Sequence, residues 1–446
     1  TQGVSSAASD VYKRQTLEVA VGTSSGYNSA LGSQYNVITV GSGARLLVSG
    51  GESAAQRTLG YHTAAANING GRMTFDTQDN SFAVGSALTF DNAAGTIDGS
   101  GQLRRRTAGN SIVVTSAASG SVISVADLNL LDTTSTFNVA NGSNAADLTV
   151  SGGISGGGTL SKTGTGTLLI TGAAAHSGGT TLSAGVLQIG NGDTTGSVSG
   201  DITNNAALVF NRSNSLTHSG AISGSGSLEQ AGSGTLILTG ASTHTGGTTL
   251  SAGTLRIGNG GTTGSVSGDI TDNAALVFNR SNSLTYSGAI SGSGSLEQAG
   301  SGSLILTGAS THSGGTTLSA GTLRIGNGGT AGSVSGAITN NAALIFDRSD
   351  SFTHSGAISG SGSLEQAGSG SLVLTGAATH SGGTTISAGT LQIGNGGNSG
   401  SISGNITNNA ALVFNRDGEL TYGGVISGAG SLSKLGEGLV ILSSAN

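Results

Sequence analysis

The sequence predicts an all-β fold: a right-handed, single-stranded parallel β-helix (a solenoid) in which each 68-residue repeat makes three coils. Three observations predict it. Of 446 residues 82 are Gly, none is Pro, Cys or Trp, and only 9% are charged, a usage far from that of a jigsaw-packed globular core. Short apolar alternations nevertheless run through the chain, which a disordered polymer of similar polarity lacks. Finally, Leu160, Leu228, Leu296, Leu364 and Leu432 recur at intervals of 68, as do Phe210, Phe278, Phe346 and Phe414.

The elements follow in chain order. Residues 1–15 are set aside as a non-native leader, because Ser5 to Gln15 (SSAASDVYKRQ) resembles translated sequencing-adapter read-through. Residues 16–150 carry alternation without strict repetition, as in NVITVG at Asn36, RMTFD at Arg72, ALTFD at Ala87 and FNVANG at Phe137, and read as degenerate coils of one β-helix. Residues 151–446 are the repeat region, with copies starting near 156, 224, 292 and 360 and a truncated one at 428. Residues 224–291 and 292–359 differ at only ten aligned positions, as duplicates of one structural unit do.

Inside a copy, Leu255 to Leu276 spans 21 residues, Leu276 to Leu296 spans 20, and Leu296 to Leu323 spans 27. Each interval is read as one coil opening on a short strand, with Leu255 and Ile257 or Leu276 and Phe278 facing inward. A coil of this length cannot bury its apolar side alone, so it stacks on the next. Gly258-Asn259-Gly260 supplies residues that tolerate positive φ at a corner. The residue after each opening Leu then forms one outward column, which pairs Glu229 with Arg256 and Glu297 with Arg324 in the coil that follows.

The segment Gly156 to Gly190 (GGGTLSKTGTGTLLITGAAAHSGGTTLSAGVLQIG) resembles the autotransporter-associated β-strand repeat, and the likeness returns at Gly224, Gly292, Gly360 and Gly428. It covers about residues 150–446. The family's Lys is kept at Lys162 and Lys434 but is Gln230, Gln298 and Gln366 between them, and its Tyr is replaced by His176, His244, His312 and His380. Both positions are expected to face solvent or to lie at a bend. The resemblance implies an autotransporter passenger, secreted through a C-terminal outer-membrane β-barrel; no barrel follows Asn446, so the chain reads as a fragment.

Other chemistries fit less well. A net charge of −6 gives no footprint for nucleic acid, and the lone basic run Arg104–Arg106 reads as a solvated face. No apolar stretch approaches the ~20 residues of a membrane-spanning helix. Equivalent acids Glu229, Glu297 and Glu365 would lie three coils apart, roughly 14 Å at ~4.8 Å per coil, too far for a glycosidase pair at about 5–9.5 Å. The four repeat His residues would be as far apart, whereas zinc ligands sit at about 2.0–2.1 Å from the ion. The alternating His218, Tyr286, His354 and Tyr422 read as an amphipathic surface spot. Asp193 is the lone acid among the GNG turns, which leaves calcium unsupported. Thr180-Thr181, Thr248-Thr249 and Thr316-Thr317 would recur on one coil in three, too sparse for a threonine array.

No catalytic residue, metal ligand or cofactor is therefore assigned. The expected role is a surface-displayed or secreted rod acting in adhesion, self-association or display, with host or neighbouring-cell glycans or proteins as partners. The alternative is a carbohydrate-active β-helix enzyme, a polysaccharide lyase or hydrolase, with a site in residues 16–150. There Asp76, Asp79, Asp91, Asp98 and Arg104–Arg106 are the dense polar group.

Overall fold

A computed structural model describes residues 16–20, 36–49, 58–75, 81–105 and 110–445. The expected leader, residues 1–15, lies outside them. The protein is a parallel β-solenoid, and its chain divides into two compact units, residues 1–227 and 228–446. No helix among the described residues is long and apolar enough to cross a membrane.

In the first unit one inward ladder runs through Leu46, Met73, Ile97, Ile123, Val150, Ile170, Ile189 and Phe210, each in parallel register with the next. Every one of them is buried. The degenerate coils and the first repeat copy thus share one core line. Coils before Val150 advance 24 to 27 residues and those after it 19 to 21. That irregularity hides the coil period in residues 16–150.

In the second unit each coil has three strands. Ile270–Asp272, Ala275–Phe278 and Leu284–Tyr286 make one coil, and Ile290–Ser291, Ser295–Gln298 and Ser303–Leu306 lie on them in parallel register. Successive side chains alternate in and out, so Leu304 and Leu306 enter the core while Ile305 turns outward. Corners need left-handed backbone at a few places. Gly321 has φ +63°, and a Cβ there would lie 2.2 Å from the Gly302 carbonyl oxygen of the coil beneath, so only Gly fits.

The expectation of three coils per repeat is corrected. From Ser295–Gln298 to its equivalent Ser363–Gln366 the chain passes through ten strands, and ten strands at three per coil make three and a third coils. Leu296 is stacked successively under Thr316, Ile338 and Ile358, which completes three coils in 62 residues. The remaining six residues carry the chain around to the next face, where Leu364 sits between Leu344 and Thr384. The 27-residue interval from Leu296 to Leu323 is one coil plus one strand step, because Leu323 lies on Leu304, not on Leu296. The strand Ser303–Leu306 had not been counted as a face of its own.

The outward column fails for the same reason. Glu297 has Val277 and Thr317 as neighbours, while Arg324 has Ile305 and Ile345. Likewise Glu229 lies beside Thr249, and Arg256 between Ile237 and Val277. Among the described residues no cross-coil Glu–Arg pair forms. Arg324 instead bonds the Asp347 carboxylate, with Nε 3.0 Å from Oδ2, and Glu297 accepts the Ser319 hydroxyl at 2.6 Å.

Because the native chain has no Cys, paired cysteines report this register directly. Arg324→Cys with Ile345→Cys should cross-link on oxidation, since adjacent parallel strands bring Cα atoms to about 4.8 Å. Glu297→Cys with Arg324→Cys should stay reduced. Cross-linking of the second pair instead of the first, read by peptide mapping, would restore the three-coil arrangement.

Candidate functional site

The described members of the polar group of residues 16–150 are not gathered into one place. Asp76, Asp79 and Arg106 lie outside the described residues. Asp98 is in register with Thr74 and Ser124 and forms an ion pair with Arg72. Asp91 follows Phe90 on a different ladder, where it accepts the Thr115 hydroxyl at 3.0 Å. Arg104 donates to the Gln102 side chain at 3.0 Å. Arg105 is buried, against the reading of the whole run as solvated. Its Nη2 donates to the Ser111 carbonyl at 2.8 Å, and burial lowers its pKa to about 10.

The repeat residues expected at the surface are mostly interior, and together they hold the corners. Lys162 is fully buried, its ammonium donating to the carbonyls of Thr163, Gly164 and Ala184 at 2.8, 2.8 and 3.1 Å. Burial pulls its pKa down to about 8, with Asp147 opposing. Gln298 does the same work as a neutral amide, donating to Gly300 and Gly302 carbonyls at 2.8 and 3.1 Å; Gln230 and Gln366 repeat the pattern. Lys and Gln interchange because the corner needs a donor, not a charge.

His176, His244, His312 and His380 are buried as well, each with Nε2 3.0 or 3.1 Å from the hydroxyl of the Thr four residues on. Within the second unit His244, His312 and His380 stand beside three successive faces, not in one column.

His218, Tyr286, His354 and Tyr422 are likewise buried rather than at the surface. They mark where backbone pairing is interrupted. The two-residue strand Ser333–Val334 has no ladder partner in the coil above, and His354 Nδ1 reaches the Val334 carbonyl at 3.3 Å instead. Tyr286 spans the equivalent break by donating to the Gly268 carbonyl at 2.6 Å, and its ring tilts against Phe278 at 5.7 Å. Sequence reasoning missed this role. The signal available was that only His and Tyr, rings with a polar tip, occupy the position.

What reaches solvent is a set of outward ladders. One runs Arg256, Val277, Glu297, Thr317, Thr339, Ser359, with Val277 itself buried beneath its neighbours. The next face repeats it with Arg324, Ile345, Glu365, Thr385, Thr407 and Ser427. Thr317 and Thr339 are direct neighbours, so hydroxyls occupy consecutive coils, more densely than the spacing of one coil in three. Beside the ladders, residues 259–263 form an exposed loop whose carbonyls at Thr262 and Gly264 are held by the Arg280 guanidinium, itself steadied by Asn282. Two shallow dimples among the described residues, lined by Phe278, Arg280 and Leu284 or by Phe346, Arg348 and Phe352, enclose essentially no volume. A small-molecule cleft is typically ~300–1,000 Å³.

Two predictions follow from the buried corners. Lys162→Gln should change stability by less than about 1 kcal/mol, whereas Lys162→Met leaves carbonyls unpaired and should cost about 1–3 kcal/mol in denaturant unfolding. Burial also lowers the pKa of His176, His218, His244, His312, His354 and His380 below the ordinary 6.5, opposed in each by a backbone hydrogen bond. The folded chain then binds fewer protons than the unfolded one, so stability present above pH ~6.5 is lost as pH falls through the folded values. His218→Tyr with His354→Tyr keeps the carbonyl bond and removes two titrating rings. The double variant should lose less thermal stability between pH 7 and 5 than the native chain.

Comparison with known proteins places these ladders and corners in a recognised context. No solved structure matches the chain. A 45-residue stretch is 69% identical to the adhesin BmaC autotransporter of Brucella suis biovar 1 (strain 1330), covering 10% of this chain and 1% of that protein. The matched part of the chain thus spans about one hundredth of that relative's length. The family model of the passenger-associated-transport-repeat matches residues 160–189, 228–257, 296–325 and 364–393, so the chain carries four copies of the autotransporter-associated repeat that its sequence resembles.

Proposed function

We propose that this chain is a stretch of a surface-displayed or secreted autotransporter passenger, a non-catalytic solenoid whose outer ladders act in adhesion, chiefly by self-association. The observation that carries this reading is the composition of those ladders. Each presents Arg, Glu and then consecutive hydroxyls on a parallel face, around an aliphatic residue that is buried at Val277 and half-buried at Ile345, and among the described residues no cleft gathers a comparable concentration of groups. The four repeats and the adhesin relative support the display role.

Partner chemistry can be narrowed. Sugar recognition commonly stacks rings on exposed aromatic side chains. Among the described side chains Tyr286 and Tyr422 are buried and Phe352 is covered by the Arg348 guanidinium, 5.1 Å from its ring centre. The ladder Arg256, Val277, Glu297 is self-complementary instead. A second copy laid antiparallel about Val277 sets Arg256 against Glu297 twice, the isologous arrangement of a two-fold interface.

A charge swap tests this. Arg256→Glu should weaken association of the full chain, measured by light scattering at low salt, and adding Glu297→Arg should restore it. A chain that stays monomeric at all concentrations, or a double variant no better than the single one, would overturn self-association. A polysaccharide-degradation screen run in parallel should show no turnover, and measurable turnover would favour the enzyme reading of residues 16–150.

A further inference from the structure

Position 272 is one of the ten at which two adjacent copies differ. It is Asp, where the equivalent residues are Asn204, Asn340 and Asn408. Each of those Asn side chains is buried and does two things. Its Oδ1 accepts the backbone N–H two residues on, at 3.1 or 3.2 Å, and its Nδ2 donates to the carbonyl of Ser227, Ser363 or Ser431 at 2.8 Å. The amide thereby closes the corner between one coil and the next.

Asp272 keeps the first bond, accepting from Ala274 N at 3.0 Å. The second is lost, for Oδ2 takes the place of the amide nitrogen, is buried, and has no hydrogen-bond partner. Movement cannot relieve it easily: the corner is tight enough that a Cβ on Gly294 would lie 2.3 Å from Asp272 Oδ1. An ionised carboxylate here would set oxygen against the Ser295 carbonyl, acceptor against acceptor. A protonated one would supply the missing donor.

We infer that Asp272 is held as a neutral carboxylic acid in the folded chain and donates its O–H to the Ser295 carbonyl, which makes this corner of the second copy a proton-dependent joint. Burial acts in the same direction, raising the carboxyl above its ordinary 3.8, with the Ala274 N–H opposing. Nothing charged offsets this from the packed elements. Thr248–Leu250 on one side and Ile290–Ser291 with residues 292–295 on the other carry no ionisable group. Of the titratable groups nearby in the ladder, Asp269 is exposed and accepts the Ala289 N–H at 2.8 Å, His244 turns its ring to Thr248, and Glu297 is on the outer face.

A carboxyl whose folded pKa is raised contributes stability that is complete below the unfolded value and lost as pH climbs through the folded one. This is the opposite sense to the buried imidazoles. Hydrogen exchange on the full chain from pH 4 to 9, corrected for the intrinsic rate, reads the joint through Gly294 N–H and Ser295 N–H, which donate to the carbonyls of Asp272 and Ala274 at 2.7 and 3.1 Å. Their protection should fall about tenfold per pH unit from the ordinary carboxyl value up to the folded pKa and level off above it. Asp272→Asn should abolish that fall, and Asn340→Asp should transfer it to Gly362 and Ser363. An infrared difference between native chain and Asp272→Asn should show a protonated carboxyl at neutral pH. Protection at 294–295 independent of pH, or the same in native and Asp272→Asn chains, would overturn the inference, as would an ionised carboxylate in the difference spectrum.

Discussion

Every strand in this solenoid depends on the coil beside it for its hydrogen bonds, and that requirement organises the rest. A coil of about 20 residues has two edges of N–H and C=O groups and an apolar interior too small to stand alone. Laying the next coil on it in register satisfies the backbone and places Leu on Leu, as along Leu323 and Leu344. Where the ladder is interrupted, as above Val334, side chains with a polar tip take over the bond. The corners obey the same accounting, with Lys, Gln, Asn and His–Thr pairs each satisfying groups that no strand reaches.

Much of the architecture was legible in the sequence because alternation reports which side of a strand faces inward, and stacking of short coils follows from their size. Leu255, Ile257, Leu276 and Phe278 were placed correctly in the core for that reason. Phase was not legible. Repetition at 68 fixes the distance between equivalent residues but not how many strands the chain winds in between. Buried polar residues were also misread. His312 and Lys162 have the residue types of a surface, and only the carbonyls and hydroxyls around them, contributed by other coils or by tight corners, make burial favourable.

The mismatch between ten strands per copy and three per coil has a structural cost that the sequence visibly meets. Within the second unit each strand type rests on the type three places earlier, so Ser-Leu-Glu-Gln strands always follow Ala-Leu-Val/Ile-Phe strands and precede Thr-Thr-Leu/Ile ones on whichever face they fall. All faces are therefore built to one design. A copy can be added or lost without changing any strand's neighbours, because what slides into place is the same strand from the adjacent copy. Near-identity of copies is then a condition of packing as well as a trace of duplication.

For the surface, the same mismatch decides what a partner meets. Leu228, Leu296 and Leu364 begin copies on three successive faces, and Leu432 returns to the first, since its ladder through Leu372 and Leu412 continues the one that carries Ser310 and Val334. An outer motif thus recurs along one face once every ten coils, roughly 48 Å at ~4.8 Å per coil. A flat partner can touch only every third copy, whereas partners on all sides meet equivalent ladders. Had each copy closed in three whole coils, equivalent motifs would line a single face, and the other two would present different chemistry. Display in all directions follows from the arithmetic of the repeat, without any further specialisation of sequence.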